Sequence, residues 1–73
     1  MSRLSILNAL SQHTESVPRL FFRNNYSYVI IVFKDSLPRE EATNIKHTLK
    51  KFGRVLSHDD EEEHSTFRVI AQQ

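Results

Sequence analysis

Residues 28–33 read Tyr-Val-Ile-Ile-Val-Phe, and no other run constrains the fold of this chain more tightly. A strand alternates its side chains, so Tyr26, Tyr28, Ile30 and Val32 project to one face, with Val29, Ile31 and Phe33 on the other. Both faces are apolar. Such a strand needs cover on both sides and is unsafe at a sheet edge. A chain of 73 residues has little material for covering two faces, because a domain of that size buries only roughly 60% of its unfolded surface. The stretch therefore bears on assembly as well as on fold.

The flanking segments supply a small α+β domain. Leu4, Ile6, Leu7 and Leu10 recur at helical spacing, which predicts an amphipathic helix over 3–12 with Ser2 as its N-cap. The polar segment from His13 to Pro18 is a connection. Leu20 to Arg23 reads as a strand. Asn24-Asn25 follows, and asparagine tolerates the positive φ of a tight hairpin turn. The central strand then runs from Tyr26 to Lys34.

Asp35-Ser36-Leu37-Pro38 looks like a helix start, with Asp35 or Ser36 as cap and Glu40 and Glu41 near the positive end of the dipole. Ala42, Ile45, Leu49 and Phe52 fall within an arc of about 80°, so the second helix buries one narrow face. Gly53 stands where a left-handed C′ residue ends a helix. Val55-Leu56 begins a third strand, His58 to His64 forms an acidic turn, and Ser65 to Ala71 is the fourth strand. In that last strand Phe67, Val69 and Ala71 oppose Thr66, Arg68 and Ile70.

The element order is thus α-β-β-α-β-β in one domain spanning 1–73. If the fourth strand inserts between the second and third, all neighbours become antiparallel, in spatial order 1-2-4-3. That places the two most apolar strands in the middle. A right-handed crossover lays the second helix on one face. Should the first helix share that face, the other is left for a partner.

Charge narrows the choice of partner. The formal net charge is +1, yet five of the nine acids are consecutive, Asp59 to Glu63. The rest of the chain sets ten Lys and Arg against four acids, a net of +6. Arg39, Thr43, Lys46 and Lys50 make a basic stripe along the second helix, extended by Arg54, which suits phosphates or an acidic protein surface. Phe21, Phe22, Tyr26 and Tyr28 surround one hairpin, interleaved with Arg19 and Arg23, and rings on open sheets stack nucleic-acid bases. The chain has no match to the Gly/aromatic signature of RNA-recognition sheets, so a dimer seam competes with that reading.

Other chemistry finds less support. With no cysteine there is no disulfide, thiolate metal site or thiol catalysis, which agrees with the cytoplasm. The first ten residues mix Ser2, Arg3, Ser5 and Asn8 with leucines and give no continuous apolar run for a membrane span. The run from His58 to His64 offers nitrogen and oxygen donors but fits no zinc or calcium loop, so neither metal nor cofactor is expected. Nucleophile elbow, P-loop and paired-histidine zinc motifs are all missing.

Three functional readings follow. The first is a non-enzymatic module that binds and modulates another macromolecule, homodimeric through the second sheet face with Phe21, Tyr28, Ile30 and Phe67 at the seam. In size and composition it resembles the accessory or inhibitor proteins of phages and plasmids. The second is a DNA- or RNA-binding protein using Arg39, Lys46, Lys50 and Arg54. The third is a small metal-dependent ribonuclease using Asp35 or the acidic turn.

Overall fold

A computed structural model describes residues 1–71. Its elements are α1 (Arg3–Leu10), β1 (Arg19–Arg23), β2 (Tyr28–Phe33), α2 (Arg39–Leu49), β3 (Arg54–Asp60) and β4 (Ser65–Ile70). The four strands form one antiparallel sheet in the order β1-β2-β4-β3. The order expected from the sequence is the one observed. Strands β2 and β3 run in the same direction with β4 between them, so β2-α2-β3 is a split β-α-β unit.

Both helices pack on the same side of this sheet. Ile6 and Leu10 of α1 and Ala42, Ile45 and Leu49 of α2 join Leu20, Val29, Ile31, Phe33, Phe67 and Val69 in one core. Among the described residues, no helix lies over the second face of the sheet. Phe33 and Phe67 meet edge to face in the core, 6.0 Å between centroids.

Several local expectations change. Ser2 does cap α1, accepting from the Ser5 amide at 3.2 Å. Asp35 does not cap α2: the helix starts at Arg39, with Pro38 at the N-cap position and no side-chain cap. Ser36 instead donates to Asp60 at 3.4 Å. Gly53 is not left-handed. A Cβ there would strike the Ile70 carbonyl and lie 3.0 Å from the Ala71 Cα, so glycine is required by close approach of two backbones. The left-handed region is occupied elsewhere, by Asn24 (φ 52°), Asn25 (φ 54°) and Tyr26 (φ 67°). Including Tyr26 in the turn starts β2 at Tyr28, two residues later than its pattern predicts.

The third strand departs most from expectation. It continues through His58, Asp59 and Asp60, leaving only Glu61 to His64 as the turn. A β-bulge between Val55 and Ser57 makes Leu56 an extra residue in the ladder. Plain alternation from Val55 would put 57 and 59 on the helix side. Past the bulge the parity inverts, and His58 and Asp60 face the helices instead.

Candidate functional site

Cross-strand pairing lays out the helix-free sheet face as three rows. The first reads Arg23, Tyr28, Ile70 and Arg54; the second Phe21, Ile30, Arg68 and Ser57; the third Arg19, Val32, Thr66 and Asp59. Directly paired residues share a face, so these side chains form one surface. Tyr28, Ile30, Val32, Phe21 and Ile70 make it apolar toward β1 and β2, Arg68 and Thr66 stand in the β4 column, and its corners are charged, with arginine at three of the four. Phe21 and Leu56 are each 46% exposed and Ile70 37%. Lys34 joins Arg19, Phe21 and Val32 around a shallow depression at one end. One cation is neutralised internally, since Arg68 donates to Asp59 at 2.8 Å.

The hairpin rings divide between the faces. Phe21 and Tyr28 stand on the open surface. Phe22 turns to the helix side, 4.8 Å from the Tyr26 ring and beneath the Arg3 guanidinium at 5.5 Å. Of the expected seam residues, Phe21, Tyr28 and Ile30 share the open face. Phe67 does not: it is 0% exposed in the core, because its odd position in β4 pairs with Ile31 and not with Ile30.

The basic stripe runs along α2 as far as Lys50, and Arg54 alone leaves it. Arg39, Thr43 and Lys46 stand on one side of α2 and, with Leu37, Ala42, His58 and Asp60, line a cleft of about 520 Å³ between α2 and β3. Lys50 is exposed at the C-cap. Arg54 lies on the open sheet face beside Ile70. Arg54 is thus on the other side of the sheet from the three helix cations.

The cleft is a product of the bulge. His58 stacks on Phe67 with ring centroids 4.2 Å apart and planes 5° from parallel. Its Nε2 is buried without a hydrogen-bond partner among the described residues, a state that costs about 1–3 kcal/mol for a neutral polar group. Burial, with a contribution from the Lys46 ammonium, holds the imidazole below its ordinary pKa near 6.5 against the opposing pull of Asp60 and Asp59. Asp60 is fixed by the Ser65 hydroxyl at 2.5 Å. Ser65 is fully buried and accepts from the Leu37 amide at 3.2 Å, tying β4, β3 and the approach to α2 together. Arg39 and Lys46 have no ion-pair partner among the described residues. Nothing in the sequence marked His58 and Asp60 as a pair: without the bulge, the acidic run reads as a hydrated loop.

The remaining acids diverge. Asp59 is on the open sheet face, Asp60 is in the cleft and Glu61 to Glu63 are exposed at the turn. No three His, Asp or Glu side chains among the described residues are grouped to hold a metal ion. No helix among them is long and apolar enough to cross a membrane. No known protein family, curated protein or solved structure matches the chain.

Proposed function

We propose that this chain is a non-enzymatic binding module that modulates a macromolecule by occupancy, and that its open sheet face holds single-stranded nucleic acid. The supporting observation is the layout of that face. Two rings, Phe21 and Tyr28, sit beside Ile30, Val32 and Ile70, and Arg19, Arg23 and Arg54 hold the corners of the face. Bases of any identity stack on rings, while arginines at the margin meet the phosphates that connect the bases. The helix stripe is not part of this surface, so the cations carrying the reading are those of the sheet. A chain without cysteine suits a cytoplasmic setting, where such strands occur.

A second copy of the chain fits the face less well. With three arginine corners and one aspartate, a two-fold pairing that superposes the four corners of the face sets arginine against arginine. Like charges across an interface oppose association. Asp59, the one acid available to relieve this, is already engaged by Arg68.

Fluorescence anisotropy with a labelled, mixed-sequence single-stranded oligonucleotide at low salt tests the proposal. Saturable binding is expected. Phe21→Ala should weaken it about five- to 150-fold, the equivalent of about 1–3 kcal/mol of lost stacking, while circular dichroism stays that of the wild type. Binding equal to wild type in the Phe21→Ala, Tyr28→Ala double variant overturns the proposal. So does a free protein that sediments as a dimer dissociated by Phe21→Ala, which transfers the face to self-pairing.

A further inference from the structure

The cleft between α2 and the far half of β3 lies on the other side of the sheet from the proposed nucleic-acid surface. We infer that it is a binding site for a phosphate monoester carried on a hydroxyl-bearing sugar, about the size of a mononucleotide. Its volume of about 520 Å³ falls in the range of small-molecule sites, about 300–1,000 Å³.

Charge selects an anion. Arg39 and Lys46 are separated by two helical turns, about 10.5 Å along the axis, and their long side chains can converge on one phosphate from either side. Neither is neutralised by an acid among the described residues. The guanidinium offers a fork for two phosphate oxygens and the ammonium a point charge for the third. Between them the Thr43 hydroxyl donates to the Arg39 carbonyl at 3.0 Å.

The β3 wall adds a polar nitrogen with no current use. The His58 ring is held flat against Phe67, so its orientation is set before any ligand arrives. Its Nε2 is buried with no hydrogen-bond partner among the described residues, and Lys46 and Asp60 line the cleft beside it. Burial, then Lys46 from α2, set the protonation of His58 against Asp60 and Asp59 from its own strand, and Arg39 faces the same cleft. Its other neighbour, Phe67 of β4, is uncharged. An anion drawn in by Lys46 offsets that lysine and favours the imidazolium.

Asp60 explains why the ligand is an ester and not a bare phosphate. Both of its hydrogen bonds, from Ser65 and Ser36, end on Oδ1. Oδ2 remains for a donor, and a carboxylate there repels a second anionic oxygen. A ligand that presents phosphate to Arg39 and Lys46 and a hydroxyl to Asp60 satisfies every wall. A nucleoside 5′-monophosphate and the 5′-phosphorylated end of a strand share that chemistry.

NMR titration of the full chain, following the His58 ring and the amides of α2, tests the inference. The probes are inorganic phosphate, a nucleoside 5′-monophosphate, and a short oligonucleotide with and without its 5′-phosphate. Expected are saturable shifts at Thr43, Lys46 and His58 with the monoesters, a raised His58 pKa in the complex, and weaker binding of inorganic phosphate. Lys46→Ala should weaken the monoester about tenfold or more, Lys46→Arg should restore most of it, and Phe21→Ala should change nothing. A preference for the free nucleotide identifies a metabolite as the source; a preference for the phosphorylated strand over the unphosphorylated one identifies a strand end. Absence of shifts at millimolar ligand, equal affinity for inorganic phosphate, or shifts indifferent to both Lys46→Ala and Arg39→Ala overturns the inference. The Phe21→Ala arm separates this outcome from failure of the sheet-face proposal.

Discussion

Replacing Gly53 by alanine should destabilise the protein by about 1–3 kcal/mol, although alanine usually gains from replacing glycine. At a compatible backbone the substitution adds about 0.4–1 kcal/mol by reducing the freedom of the unfolded chain. Here the new methyl meets the Ile70 carbonyl oxygen, the Ile70 carbonyl carbon at 2.8 Å and the Ala71 Cα at 3.0 Å, all main-chain atoms. No rotamer can relieve that contact. The end of β4 must move, and Ile70 is held there by pairing with Tyr28 on one side and Arg54 on the other. Overpacking of this kind costs about 1–3 kcal/mol, with the loss of the final ladder bonds adding to it and the entropic gain subtracting. A chain of this length has a total stability of roughly 4–11 kcal/mol, so the change is large. Urea and thermal unfolding would show it as a melting temperature lower by about 4–8 °C per kcal/mol. Gly53→Asn separates the two explanations for this glycine. Asparagine relieves a left-handed requirement but not a collision, so it should be at least as destabilising as alanine. An alanine variant as stable as the wild type, or an asparagine variant that recovers the loss, refutes the reasoning.

Other predictions follow from single contacts. Ser65→Ala removes the acceptor of the buried Leu37 amide and the donor to Asp60, and should lower stability by about 1–3 kcal/mol in urea; no loss would mean that Asp60 and Leu37 are satisfied without it. Because His58 is held below 6.5, the unfolded chain takes up its proton first as pH falls. Its contribution to stability is complete above pH 6.5 and is lost as pH drops through the lower folded value. Urea midpoints measured from pH 7.5 downward should decline in that window, less so in His58→Phe; a rise would contradict the assignment. Arg68→Ala breaks an ion pair whose side chains are 38% and 62% exposed, so the loss should stay within about 1 kcal/mol, with a larger effect pointing to a role in packing.

How much of this was legible in the sequence depended on the range of the interactions involved. The two-faced pattern of 28–33 foretold a central strand, and the hairpin spacing with one crossover helix left few strand orders. Those features are local or follow from chain connectivity. Gly53 drew attention for the wrong reason, because what excludes a side chain there is β4, which is nearby only in the folded chain. Asp35 was expected to cap because it precedes a proline, but the helix begins beyond that proline. The seam assignment failed at Phe67 on the parity of pairing with β2. The cleft was least visible: it needs one extra residue in β3, and nothing about Leu56 announces a bulge. That insertion moves His58 and Asp60 from the sheet-face side to the side of Arg39 and Lys46. Periodicity alone kept the basic helix and the acidic run apart.

The salt dependence of single-strand binding bears most directly on the central claim that the helix-free sheet face is the working surface. Arg19, Arg23, Arg54 and Lys34 are its cations without an ion-pair partner among the described residues. Three to four phosphate contacts give a log–log slope of about −2 to −3, so affinity should fall about 20- to 50-fold between about 50 and 200 mM salt. The Arg19→Ala, Arg23→Ala double variant should make that slope shallower by about 1.4, whereas Lys50→Ala on the far side of the molecule should leave it unchanged. A flat salt profile, or a slope that responds to Lys50 and not to the two arginines, contradicts the account.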